Sequence, residues 1–389
     1  MRFPEFTEEW KEEQLDNIAT LSKGIGISKE QLSEDGEPCI LYGELYTKYK
    51  SEIIKQVESK TDINGSKLKR SKANDVIIPC SGETAVDIAT ARCVPFDNIL
   101  FGGDLNVISL HQYDGAFMSY QLNGKRKYDI ARVAQGVSIV HLYGEHLKAI
   151  KTYNPTLPEQ QKIAKLLSLL DDRIDTQNKI IEKLQSLIKG LVDELMTVLL
   201  KGKLYPFSSF YIKAGEGGTP TTSVVEYYTE GTIPFIKIED LSCKYLTNNK
   251  DFITELGMQK SSAWLIPSKS VIYSNGATIG AISINEYPVC TKQGILGIVP
   301  NTNINVEYLY LLMSSSYFSK EISRIITEGT MKTAYLKDIN HIKCPLPSMA
   351  QQKNITNLTS SIEEKLSIEQ ELLRFLNLQK QYLLHMIFI

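Results

Sequence analysis

The chain has 389 residues, of which 42% are hydrophobic, 23% charged and 9% aromatic; this excludes a disordered or fibrous protein and predicts two to three domains of roughly 100–200 residues each. Lys+Arg numbers 43 against Asp+Glu 45, a formal net charge of −2. A free-standing nucleic-acid binder usually carries a basic excess, so the balance alone weighs against one.

No apolar run approaches the roughly 18 residues of a membrane span. The start, MRFPEFTEEWKEEQ, is acidic and has no apolar h-region, so no secretory signal is expected. Cys39, Cys80, Cys93, Cys243, Cys290 and Cys344 form no CxxC or zinc-like spacing. They are expected to be reduced, mostly buried thiols of a cytoplasmic protein. The histidines (His111, His141, His146, His341 and His385) form no HExxH pair and are read as structural or surface residues.

In chain order, residues 1–153 are expected to form a mixed α/β region. Residues 38–45 read PCILYGEL, and residues 76–84, VIIPCSGET, read as a β-branched strand ending in the turn Ser81-Gly82-Glu83-Thr84. Lys67, Lys69, Arg70 and Lys72 form a basic cluster around Gly65-Ser66, and Lys125-Arg126-Lys127 follows the turn signal Asn123-Gly124. Residues 154–203 are a proline-containing connector and a long helix beginning near Pro158-Glu159. Its apolar positions, Ile163, Leu167, Leu170, Ile174, Ile181, Leu184, Ile188, Leu191, Leu195 and Val198, step by 4 and 3 except across polar Gln177. That is about five heptads of coiled-coil pattern, and Gly202 ends it.

Residues 204–345 repeat the first region: PFIKIEDL at 234–241 parallels PCILYGEL, and Asn275-Gly276-Ala277-Thr278 matches Ser81-Gly82-Glu83-Thr84. Gln135-Gly136-Val137 likewise parallels Glu328-Gly329-Thr330. Residues 346–389 repeat the connector and helix, with Ile355, Leu358, Ile362, Leu366, Leu373, Leu376, Leu383 and Ile387 in frame and polar Glu369 and Lys380 interrupting. Both connectors run from Ile-Lys through prolines to Gln-Gln; the first apolar helix residue lies three positions after the first Gln in one half (Ile163) and four in the other (Ile355). The expected fold is α+β: two mixed α/β regions joined by a pair of long antiparallel coiled-coil helices, a pseudo-twofold duplication. About forty residues make a rod of about 60 Å, longer than one turn of B-DNA at roughly 34 Å.

Catalytic motifs do not assemble. Asn154-Pro155-Thr156-Leu157 lacks the second proline and the aromatic of an adenine methyltransferase. Gly215-Glu216-Gly217-Gly218 is followed by Thr-Pro rather than Gly-Lys. Phe101-Gly102-Gly103-Asp104 reads as a turn, and Glu58-Ser59-Lys60 is a chance-level ExK.

Several of these segments together resemble the specificity (S) subunit of type I restriction–modification systems. They are RFPEF at residues 2–6, the connectors at 156–158 and 345–347, the run LPEQQKIAKLLSLLDDRIDTQNKIIEKLQSLIKGLVDELM at 157–196 with its weaker copy PSMAQQ at 347–352, and Gly217-Gly218-Thr219-Pro220 ahead of IPFIKIEDL. The first region departs from this pattern, carrying Gly24-Ile25-Gly26-Ile27 where the second has GGTP.

The resemblance implies a non-catalytic chain in which residues 1–153 and 204–345 are target-recognition domains, each reading half of a split, asymmetric site in double-stranded DNA. The helices would set the gap through Ile163, Leu167, Leu170, Ile174, Ile181, Leu184, Ile188, Leu191, Ile355, Leu358, Ile362 and Leu366. They would also dock two modification subunits that methylate adenine with S-adenosylmethionine, while restriction subunits using ATP and Mg2+ would join for cleavage. No cofactor or metal is expected in this chain, and no membrane partner.

Candidate DNA contacts are Lys67, Lys69, Arg70, Lys72, Ser81, Gly82, Glu83, Thr84, Lys125, Arg126 and Lys127 in the first half. In the second they are Gly218, Thr219, Lys237, Asn275, Gly276, Thr278, Lys292 and Lys332. Loop lysines and arginines contact phosphates, and polar side chains read base edges; each lysine read alone is also an ordinary solvated charge. Residues 1–150 carry 18 Lys+Arg against 22 Asp+Glu, and residues 206–345 carry 12 of each, so weak DNA binding without partners is expected. The competing readings are a coiled-coil scaffold with two protein-binding heads, and a self-sufficient methyltransferase or nuclease.

Overall fold

The computed structural model describes residues 2–64, 67–136, 139–326 and 332–388. The repeat members Val137 and Glu328-Gly329-Thr330, and the Gly65-Ser66 turn, lie outside the described residues. The chain divides into two compact units: residues up to Lys179 together with those from Gln370, and Ile180–Glu369. Each unit therefore takes a part of both long helices, Leu157–Leu199 and Met349–Ile387. No helix among the described residues is long and apolar enough to cross a membrane.

The first unit is built on an antiparallel sheet ordered Ala19–Lys23, Leu105–Leu110, Asp75–Pro79, Arg92–Val94. Residues 75–79 are buried on both faces, which explains their unbroken apolar run. Successive side chains point oppositely: Val76 and Ile78 enter one apolar cluster with Ile108, while Ile77 enters another with Leu105 and Val107.

The second unit repeats this with Tyr211–Glu216, Ile295–Pro300 and Val271–Ser274, extended by Ile282–Asn285 and Tyr245–Leu246. Here Val271 and Tyr273 face one core and Ile272 the other. The parallel pairing Cys39↔Leu100, Ile40↔Phe101 recurs as Phe235↔Cys290, Ile236↔Thr291. PCILYGEL and PFIKIEDL thus superpose as their sequences predict. The following turn repeats too: the Leu41 N–H donates to Glu44 Oε2 and the Lys237 N–H to Asp240 Oδ2, each at 2.9 Å.

The glycine turns need a correction. Leu105 pairs with Pro79, and Ile295 with Ser274, which aligns Cys80 rather than Ser81 with Asn275. The Cys80 N–H donates to Asp104 O (2.7 Å) as the Asn275 N–H does to Gly294 O (3.0 Å). Asp104 and Gly294 both hold positive φ, 59° and 85°. Sheet register, not the shared Gly-Thr letters, decides the equivalence.

A second one-residue shift explains the unequal Gln spacing. Gln160 Oε1 accepts from the N–H of Asp114, and Gln352 Oε1 from that of Asn305, at 2.9 and 2.7 Å. Asp114 and Asn305 are the N-caps of helices Gly115–Asn123 and Val306–Ser314. Gln160 therefore corresponds to Gln352, and Ile163 and Ile355 each lie three residues beyond.

The helix frame is partly corrected as well. Ile163, Leu167, Ile181 and Ile355 are buried, while Leu170, Ile174, Leu184, Ile188, Leu191, Ile362 and Leu366 are half-buried. Leu358 is exposed at 55% and Val198 at 62%; Thr359, and Val192 with Met196, take the buried places. The polar interruptions are themselves buried: Gln177 at 5% and Glu369 at 7%.

Within the first unit Lys380 Nζ meets Glu52 Oε2 at 2.6 Å and Asp171 Oδ1 at 2.7 Å. There Ile163 and Leu167 share a cluster with Leu383, Ile387 and Phe388. Ile163 and Leu167 meet residues 383–388 while Asp171, further along the first helix, meets Lys380, earlier on the second, so the two helix segments run antiparallel. Five cysteines are buried and Cys243 is exposed; burial pushes the Cys39, Cys80 and Cys290 thiols up to about 11 and Cys93 up to about 12.

Candidate nucleic-acid interface

In the second unit five loop segments are tied together at one end of the main sheet. The N–H groups of Asn275 and Gly276 both donate to Gly294 O, at 3.0 and 3.2 Å. The Gly294 N–H donates to Glu216 Oε1 (2.6 Å), and the Gln293 N–H to Thr219 Oγ1 (3.5 Å). The Lys292 N–H donates to Ile236 O at 3.0 Å, beside Lys237. The Ala334 N–H donates to Asn275 O, and Asn275 Nδ2 donates back to Ala334 O at 3.1 Å, two residues beyond Lys332. All the second-half candidates thus fall on or next to one knot of loops.

Their roles divide. Gly218 is structural, since a Cβ there would lie 2.1 Å from Ser262 Oγ. Asn275 is 1% exposed and holds loops together. Lys237 is held by Asp251 at 2.9 Å, and that hydrogen bond raises its pKa. Thr278, Lys292 and Lys332 are exposed, and among the described residues no ion pair engages Lys292 or Lys332. These three present donors and acceptors outward.

The first unit builds the same knot from other side chains. The Gly24 N–H donates to Leu105 O at 2.9 Å, as the Gly217 N–H does to Ile295 O at 3.0 Å. Gly24 therefore stands where Gly217 stands, as the sequence comparison expects. A Cβ on either would meet a backbone oxygen at 1.9–2.0 Å, so only glycine fits. The Gly102 N–H donates to Ile40 O, which makes Gly102 the counterpart of Lys292. Ser81–Gly82 pairs with Val140–His141, and Glu83 is exposed.

Thr84 accepts from the Asp87 N–H at 3.1 Å and caps a short helix. Lys69 lies opposite Phe101, one residue before Gly102, and Lys67 and Lys72 are exposed. Arg70 is bound at both Nη atoms by Glu37, at 2.6 and 3.0 Å, which holds the carboxylate below its ordinary range.

Lys125, Arg126 and Lys127 are not tied to this knot by any hydrogen bond among the described residues. Lys125 is exposed. Arg126 pairs with Asp129 at 3.2 Å and stacks 5.2 Å from the Tyr153 ring centroid. Lys127 is half-buried, and burial followed by Arg92 lowers its pKa. Sequence reasoning missed Tyr143, which is 45% exposed, stacks on His141 and lies 5.4 Å from Lys23 Nζ. The only local signal was an exposed aromatic between polar residues, which many surfaces carry.

The model of the type I restriction modification DNA specificity domain matches residues 7–186 and again 210–377. The chain belongs to this family. It is 30% identical over 179 residues to the EcoR124I/EcoR124II specificity subunit of Escherichia coli, 43% of each chain. To the MjaVIII specificity subunit of Methanocaldococcus jannaschii it is 26% identical over 284 residues, 66% of this chain and 65% of that one. The chain thus spans less than two thirds of the length of these curated relatives. A solved type I S subunit from M. genitalium shares its fold, with a TM-score of 0.59, 20% identity and coverage of 100% of this chain and 97% of the other. The mixed α/β units and long helices are therefore the fold of this family, as the sequence led us to expect.

Proposed function

We propose that this chain is the non-catalytic DNA-recognition subunit of a type I restriction–modification complex. Each unit reads one half of a split, asymmetric site through its knot of loops. The long helices set the gap between half-sites and dock two modification subunits, which methylate adenine with S-adenosylmethionine. Restriction subunits using ATP and Mg2+ complete the cleaving form. The observation that carries this reading is the twofold match of the DNA specificity domain, joined to two loop knots of the same hydrogen-bond plan.

Charge supports a shared grip on DNA. Neither head has a basic excess, and Arg70, Arg126 and Lys237 are already paired. These pairs reduce the number of cations free to neutralise phosphates, and affinity scales with that number. Partners that clamp the duplex would supply the rest. Sequencing of methylated adenines in host DNA, with and without this gene, tests the reading: one bipartite motif should vanish on deletion. An unchanged methylation pattern, with a cognate modification subunit expressed, would contradict it. Protein capture by the heads with no sequence-selective DNA enrichment would favour the scaffold reading instead.

A further inference from the structure

The two units differ in chemistry at one duplicated position. In the first, a cavity of about 380 Å³ opens between the strand Lys11–Gln14, residues 111–113 and the connector leading into the first long helix. Glu13, Tyr113 and Asn154 form one wall. Tyr113 Oη donates to Glu13 Oε2 at 2.7 Å, and Asn154 Nδ2 donates to the same oxygen at 3.2 Å and to Thr152 Oγ1 at 2.9 Å. Asn154 is 3% exposed, and its Oδ1 has no hydrogen-bond partner among the described residues. Buried acceptors are nearly always satisfied, so an orphan one closed off behind a cavity wall is unusual.

The second unit sets aliphatic and aromatic side chains at the same positions. Tyr205 lies opposite Cys344 as Glu13 lies opposite Thr152. Leu346 follows Pro345 as Asn154 follows Tyr153. Ile304 precedes the N-cap Asn305 as Tyr113 precedes the N-cap Asp114. Tyr205, Ile304 and Leu346 all pack into the apolar core of their unit. The scaffold therefore does not require polar residues at these positions, and the first unit keeps them.

The lining of the cavity selects a cation with several donors. Glu8, Glu9 and Glu13 face it against Lys11 and His111, while Pro155 and Leu157, the latter 40% exposed, give one apolar side. A guanidinium offers five N–H groups in one plane, enough to serve more than one carboxylate together. Its aliphatic stem suits an apolar wall, as amphipathic side chains do. We propose that this cleft seats an arginine side chain of a protein partner. The chemistry of the seat is independent of DNA readout; only the choice of the modification subunit as assembly probe rests on the reading above.

The test uses the full chain. N-acetyl-arginine amide, N-acetyl-lysine amide and spermidine are titrated by calorimetry or saturation-transfer NMR. The arginine probe should bind saturably in the millimolar range, and at least tenfold more weakly to Glu13→Gln and to the triple variant E13Y/Y113I/N154L, which copies the side chains of the second unit. Thermal melting checks that each variant folds; the single Glu13→Gln change keeps the test open should the triple variant fail. No saturable binding, or equal binding to wild type and to a folded variant, overturns the seat. Tighter binding of spermidine or of the lysine probe overturns the arginine assignment. In assembly with the modification subunit, Glu13→Gln should weaken association at least tenfold. Unchanged association overturns the protein partner, whereas failure of the wild type to assemble at all counts against the proposed function and leaves the direct titration to decide the seat.

Discussion

Lys380 draws together residues far apart in the chain, Glu52 lying 328 positions away. Its side chain is 15% exposed, against 8% for Glu52 and 4% for Asp171, and Tyr120 Oη donates to Asp171 Oδ2 at 2.7 Å. Burial opposes the charge on Lys380, but Glu52 and then Asp171 outweigh it and hold its pKa above 10.5. Glu52 is itself held above 4.5, by burial first and despite Lys380. Lys380→Met should therefore lower the stability of the first unit by about 3–5 kcal/mol, because two buried carboxylates lose their cation. Urea unfolding at several pH values checks both size and sign. The folded pKa of Lys380 is raised, so its contribution is full below about 10.5 and is lost as pH rises through the folded value. The gap between wild type and variant should persist from pH 7 to 10 and close above. Acid should partly rescue the variant, since protonating Glu52 removes an uncompensated charge. A constant gap into strong alkali would count against the ion pair. From the sequence Lys380 reads as a flaw in a heptad frame; its role depends on partners that no local pattern specifies.

The long helices were legible as elements and less so as surfaces. Their 4-and-3 spacing correctly marks Ile163, Leu167 and Ile355 as buried, but by the far end of the first helix the buried residues are Val192 and Met196 rather than Leu195 and Val198. An α-helix drifts about 20° per heptad against a strict 3.5 repeat. Over the four heptads from Ile163 to Leu191 that is about 80°, close to the roughly 100° between neighbouring residues. A stripe read on the 3.5 repeat thus misses by one residue at its end. Leu167, fully buried, should cost about 2–5 kcal/mol on truncation to Ala. Leu358→Ala, at a 55% exposed position of equal sequence appeal, should stay within about 0.5 kcal/mol. Equal losses in chemical denaturation would show that burial does not govern these positions.

At the scale of the whole molecule, each compact unit contains helix from both rods. Val192, Met196 and Ile355 lie in the same core cluster as Phe207 and Tyr308, so the sheet and helix portions of the second unit share one core. Exchanging Ile180–Glu369 for the equivalent segment of another family member should therefore give a stable protein that changes one half-site and leaves the other intact. Exchanging only residues 204–345 should melt at a lower temperature, because that core is cut. Methylation mapping and thermal melting read the two results, and a change in both half-sites would contradict independent reading by each unit.

Sequence alone determined the duplication, the element types, the long helices and the family, because periodicity and turn chemistry are local properties written residue by residue. It placed the second-half candidates on loops that do converge, and it placed Gly24 opposite Gly217. Tertiary structure alone decided that Cys80, not Ser81, answers Asn275 and that Gln160 answers Gln352. It also decided that Arg70 is held by Glu37, and that one unit sets Glu13, Tyr113 and Asn154 where the other packs Tyr205, Ile304 and Leu346 into its core. These outcomes rest on strand register, on long-range pairing and on which side chains meet across the core, and none of them is set by the neighbours of a residue in the chain.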